Sequence, residues 1–129
     1  MITSPLQNPT MDDCIAACQR CHQTCLHMAM THCLNQGGKH VEPEHFRVMI
    51  NCAEICQTSA NFMLSQSALH AVICAACAEV CTACADSCEQ VGDMDDCVRA
   101  CRECAQRCEA MGSMGRASAT QSQSQPARQ

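Results

Sequence analysis

Cysteine recurs along this chain at alternating steps of three and four residues, and that spacing leaves few folds open. Cys14, Cys18, Cys21 and Cys25 form one run, Cys74, Cys77, Cys81, Cys84 and Cys88 a second, and Cys97, Cys101, Cys104 and Cys108 a third. Between them stand Cys52 and Cys56, four apart. An α-helix turns once in about 3.6 residues, so a three-four alternation lays all its members along one face. Repeated in separate segments, the pattern is the inward seam of a helix bundle. The period of two that a half-buried strand requires is not visible, and the chain reads as all-α.

Punctuation divides it into four helices. Thr10 precedes Met11-Asp12-Asp13, an N-cap with acidic first-turn residues, and nothing breaks the pattern until Gly37-Gly38. Pro43 opens a second helix, reaching about Leu64, at a position where its missing N–H costs nothing. Ser67 is the expected cap of a third helix to about Gln90, and Asp93 that of a fourth ending near Met111-Gly112. Short connections make neighbours antiparallel, giving an up-down-up-down four-helix bundle with a cysteine-lined core. Residues 1–9 are then an N-terminal extension, 10–112 the bundle, and 113–129 a Ser/Gln/Ala tail expected to be disordered.

Composition agrees. The 129 residues hold 16 Cys but no Trp, no Tyr and only 2 Phe. Cysteine packs as a small hydrophobe, so here it must supply much of the core. The formal charge of −5 provides no basic face for nucleic acid, and there are no aromatic platforms for stacking bases. No basic, apolar leader begins the chain, no twin-arginine signal is seen, and no 18-residue apolar stretch is apparent. A cytosolic, membrane-free chain is therefore expected, with thiols kept reduced and available for metal or redox chemistry instead of disulfides.

Continuing each seam with the same step adds other soft donors. Helix one gains Met11, Met28 and His32; helix two reads His45, Met49, Cys52, Cys56, Ser59, Met63; helix three gains His70; helix four gains Met94 and Met111. Antiparallel packing brings His32, His45, Met49, Cys88 and Met94 to one end, and Met11, Met63, His70 and Met111 to the other. The first of these is the expected entrance. Cys33 lies one residue off the seam and needs a local bulge to face inward. His22 and His27 fall off the stripe and read as solvated, and His40 as an ordinary loop residue.

Thiolate and thioether donors select copper(I), zinc or iron–sulfur clusters. Zinc wants four ligands around separate tetrahedra, and the C-x-x-C pairs satisfy it formally. Iron–sulfur ligands occur in compact runs that are absent here. Copper(I) accepts two or three sulfurs and lets one thiolate bridge two ions, which suits an unbroken ladder best. Each ligating thiol must lose its proton, and buried negative charge is costly without cations. Near neutrality implies about one monovalent ion per thiolate, on the order of fifteen to twenty per chain. No Cys/His/Asn set stands apart from the ladder as a nucleophile with its base, so an enzyme is not expected.

The C-x₃-C-x₂-C-x₃-C steps of helices one and four, the five-cysteine third helix and the cysteine-poor second (Cys52-Ala53-Glu54-Ile55-Cys56) resemble the cytosolic branch of the bacterial copper storage proteins. The resemblance covers about residues 11–112. It implies a homotetramer of four-helix bundles whose cores fill with thiolate-bound copper(I) from one end, and a copper chaperone as a candidate partner. Read from the seams themselves, the candidate ligands are all sixteen cysteines, Cys33 included, with His32, His45, Met49 and Met94 at the expected entrance. Some members carry histidines before helix four, where this chain has Val91-Gly92-Asp93-Met94-Asp95-Asp96. Its histidines lie instead on the facing connection.

Overall fold

Four long helices carry the seams, as the spacing predicts. A computed structural model describes residues 9–123, with side chains from Thr10 to Ser113. Helix α1 spans Pro9–Met28 and runs directly into a π-helical turn, Ala29–Cys33, and a last α-helical turn, Leu34–Gln36. A 3₁₀ turn, Gly38–Val41, leads to α2, Pro43–Leu64. Helix α3 spans His70–Val91 and α4 Asp95–Gln123. Each helix packs on the next, and α4 closes the ring on α1. Among the described residues there is no strand.

The connections are tight because residues tolerating left-handed backbone sit where the chain reverses. Gly37 and Gly38 take φ of 67° and 56° after α1, and Gly92 takes 84° after α3. Ser67 caps the turn just ahead of α3: its Oγ accepts the Leu69 N–H at 3.0 Å and its carbonyl the His70 N–H at 3.2 Å. Asp93 does not cap α4. It adopts φ 58° within the turn and the helix opens at Asp95, which frees the Asp93 carboxylate to face His32.

Helix α4 also continues past Gly112, its expected end and the expected start of the tail, as far as Gln123. The glycine serves proximity, not termination. A Cβ at this position would lie 2.9 Å from the Ala75 Cβ and 3.0 Å from the Ala75 Cα, so α3 and α4 meet there almost backbone to backbone. A glycine inside a helix costs only about 1 kcal/mol relative to alanine, which close packing offsets. Residues 1–8 and 124–129 lie outside the described part.

The exterior is laced by ion pairs that strap α4 to its neighbours. Arg20 on α1 reaches Glu103 at 3.1 Å, and Arg102 reaches both Asp86 and Glu89 of α3 at 2.8 Å. Exposed pairs of this kind contribute little, about 0–1 kcal/mol each. The apolar weight lies inside. Helix α3 is, contrary to the sequence reading, long and apolar enough to cross a membrane, with a mean hydropathy of 1.5. Its apolarity comes largely from Cys and Ala, and the face bearing Cys74, Cys77, Cys81, Cys84 and Cys88 is spent on the bundle interior.

Candidate metal centre

All sixteen cysteines are free thiols with 0% exposure, so every seam sulfur points at the bundle axis. They touch across helices in a continuous ladder. At one end Cys14 lies 3.6 Å from Cys108, which lies 3.4 Å from Cys18. Cys18 meets Cys104 at 3.6 Å, Cys104 meets Cys56 at 3.7 Å, and Cys56 meets Cys81 at 3.5 Å. Cys52 then links Cys81 (3.7 Å), Cys21 (3.7 Å) and Cys101 (3.8 Å), and Cys25 sits 3.5 Å from Cys101. Four groups of sulfurs lie within 4.8 Å of one another: Cys14/Cys74/Cys108, Cys18/Cys77/Cys104/Cys108, Cys21/Cys56/Cys81/Cys104 and Cys21/Cys25/Cys52/Cys101. Cys21, Cys104 and Cys108 each belong to two groups. Shared corners mean that neighbouring ions would be joined through bridging thiolates and would not sit in isolated sites.

Towards the Gly37-Gly38 connection the donors change character. Met49 Sδ stands 3.7 Å from Cys84 and 3.5 Å from Cys88. The π turn adds the residue needed to bring off-phase Cys33 inward, where it lies 3.8 Å from His45 Nε2 and 3.9 Å from Met94 Sδ. His45 is buried, and its Nδ1 is 2.7 Å from Ser87 Oγ. That partner fixes the ring with Nε2 towards the sulfurs, as second-shell groups do for metal-binding imidazoles. Nothing in the order of residues singles out Ser87.

His40 is the other residue missed. The 3₁₀ turn folds it back over the bundle end, where it is only 7% exposed. Its ring centroid is 5.1 Å from that of His32 and 6.5 Å from that of His45. His40 Nδ1 and His32 Nε2 are buried without a hydrogen-bond partner among the described residues. The Asp93 carboxylate oxygen, 3.5 Å from His32 Nε2, is at ion-pair distance but does not make a hydrogen bond. His22, expected to be solvated, is half-buried, its Nδ1 2.7 Å from the Ala53 carbonyl oxygen; His27 is exposed. The thioethers at the far end are enclosed, with Met63 1% and Met111 2% exposed.

Proton affinity follows from this crowding. Within the ladder, hydrogen bonding to Cys104 and burial push the Cys56 thiol up, as hydrogen bonding to Cys21 does for Cys101. The Cys25 thiol is held low, first by the hydrogen bond with Cys101. Burial holds the His45 imidazole below its ordinary value, keeping it a neutral donor. Cys33 is pushed up to about 11, by burial first and then by Cys88. Because the folded state binds this proton more tightly than the unfolded chain, its contribution is complete below about pH 9 and is lost as pH rises towards about 11. Anaerobic urea unfolding of metal-free protein at pH 8 and pH 10.5 checks this: Cys33→Ser should lose less stability across that interval than the parent.

A packed column of thiols capped by thioethers and imidazoles is an arrangement for soft monovalent cations. The profile of one family, described as copper storage protein, matches residues 7–113. The chain belongs to that family. Several solved structures are similar to this copper storage protein family member. One, a protein from Nitrosospira multiformis, is 55% identical, with 84% of this chain and 99% of that one covered and a TM-score of 0.82. A Cu(I)-bound Bacillus copper storage protein is 32% identical over 80% of this chain and 98% of its own, with a TM-score of 0.74. A cytosolic copper storage protein from Streptomyces lividans, described with five coppers, is 28% identical over 81% and 92%, with a TM-score of 0.67. An uncharacterized cysteine-rich protein of Bacillus subtilis is 35% identical over 66 residues. That match spans 60% of the relative's length and 51% of this chain.

Proposed function

We propose that this chain stores copper(I), holding many ions at once on the thiolates of its core. The observation that carries the reading is the continuous run of buried, free sulfurs from Cys14 to Cys25, in which several thiols serve two clusters. Zinc, the main alternative, takes four ligands per structural ion, whereas the Cys14/Cys74/Cys108 group offers three. The Cu(I)-bound Bacillus relative and the Streptomyces relative described with five coppers support the same metal. Loading exchanges one proton for one Cu(I) at each thiol, Cys–SH + Cu⁺ giving Cys–S–Cu + H⁺, so the buried column stays close to neutral. The proposed ligands are the sixteen cysteines, with His32, His45, Met49 and Met94 at the imidazole end; His40 joins them there on its burial. The proposal places the protein in the cytosol, as the Streptomyces relative is described, and as a homotetramer able to take copper from a chaperone.

Anaerobic titration with Cu(I) against a chromophoric chelator tests the central claim. Capacity should be on the order of fifteen to twenty ions per chain, as charge balance requires; saturation at one or two ions would end the storage reading. The entrance has its own test. Replacing both His32 and His45 by Ala should slow uptake while leaving final capacity nearly unchanged, and stopped-flow traces that overlay the parent's would move the entrance elsewhere.

A further inference from the structure

The sulfur seam of α2 stops abruptly. Its phase runs His45, Met49, Cys52, Cys56, and the next inward position is Ser59 before Met63 closes the end. Ser59 is 0% exposed, although a serine on a helix usually turns its hydroxyl to water or to its own backbone. Here the Oγ lies 3.4 Å from Cys74 Sγ and 4.0 Å from Cys108 Sγ. Cys74 and Cys108 form a triangle with Cys14, and this layer holds three sulfurs and one hydroxyl where a layer such as Cys21/Cys25/Cys52/Cys101 holds four sulfurs. Cys108 is shared with the neighbouring layer, whereas Cys14 and Cys74 are not. The triangle is the last metal-competent layer before the thioethers of Met63 and Met111.

We propose that Ser59 terminates the copper column: its hydroxyl donates to the Cys74 thiolate of a distinct end site, Cys14/Cys74/Cys108, that holds its ion in three-coordinate form. Three thiolates around one Cu(I) carry two negative charges, and only the ion of the neighbouring layer, through the shared Cys108, offsets part of them. A cysteine at position 59 would need a cation of its own; an apolar residue would leave the charge without a donor. A hydroxyl supplies a charge-assisted hydrogen bond and takes up no metal. Its effect is therefore on the affinity of one site, not on the number of ions. Ser59 acts through Cys74 and is a positioning residue. The imidazole end sets His45 and Met49 beside its thiols where this end sets a hydroxyl, so the two ends of the column hold copper on different terms.

The inference rests on the storage reading, and the experiment separates the two. The parent, Ser59→Ala and Ser59→Cys are loaded anaerobically with Cu(I), counted by metal analysis, and then challenged with excess bathocuproine disulfonate while proton release during loading is followed at constant pH. Ser59→Ala should keep the parent's capacity but surrender one ion about tenfold faster, as expected for loss of one hydrogen bond to a charged group. Ser59→Cys should bind one additional ion and release one additional proton, with an unchanged helical circular dichroism spectrum. If both variants match the parent in capacity, proton count and release profile, Ser59 is packing alone and the inference is overturned. A parent that binds one or two ions fails the storage reading instead, before any variant is compared.

Discussion

Filling the core with Cu(I) should raise the melting temperature of this protein by more than about 20 °C, because metal binds the folded bundle and has no matching site in the extended chain. One site held at a thousand times its dissociation constant adds about 4 kcal/mol. A domain of this size shifts by about 4 °C for each kcal/mol, and two strong sites already exceed the threshold. The rise should grow with each equivalent added until the thiols are spent. Anaerobic thermal denaturation followed by circular dichroism at increasing copper-to-protein ratios measures it. A transition that moves by only a few degrees at full loading would mean that the ions sit on the surface or bind the unfolded chain equally well.

The second large effect concerns α2, which contributes the fewest thiols and places them centrally. Cys52 lies within 3.8 Å of Cys21, Cys25, Cys81 and Cys101, and Cys56 within 3.8 Å of Cys77, Cys81 and Cys104. Replacing both with Ser disrupts two of the four sulfur groups. Charge balance alone removes about two ions with the two thiolates, and the loss of a corner from each of two groups should bring the fall in capacity to about four. Cys33→Ser, on the edge of the column, should cost about one. A double variant that loses only two ions would show that capacity follows thiolate charge alone and that the neighbouring sites hold their ions without Cys52 and Cys56. The buried hydroxyls will also weaken the metal-free fold, by about 1–3 kcal/mol for each one left without a partner, so helical content must be checked before capacity is compared.

Much of this architecture was legible in the order of residues because its chemistry and its periodicity coincide. A cysteine every third or fourth position states both that a helix is present and which face is buried, so the seams of α1, α3 and α4 could be read directly. The same phase showed Cys33 to be displaced, and the π turn over Ala29–Cys33 is how the backbone accommodates it. What escaped depends on loop conformation or on contact between distant residues. His40 looks like a loop residue until the 3₁₀ turn carries it over the end of the bundle. Gly112 resembles a helix stop, and only the proximity of Ala75 shows why a side chain is excluded there. Asp93 has the composition of a cap but sits in the left-handed turn before the helix. Helix α3 was underrated as an apolar segment because its hydropathy comes mostly from cysteine and alanine, without a run of large aliphatic residues.

The single extra residue wound into the end of α1 lets one uninterrupted rod present two angular settings. Up to Cys25 its inward line is a file of sulfur; beyond Ala29 the line has rotated, so Cys33 faces inward and His32 lies beside Asp93 and His40 at the rim. Ordinary α winding over the same residues, with none removed, would turn Cys33 towards water and swing its neighbours by about a quarter turn, since each residue advances a helix by roughly 100°. The reservoir and its rim are thus aligned by a local change of pitch, and tightening that one turn to α-helical winding would separate them while every donor atom remained in the chain.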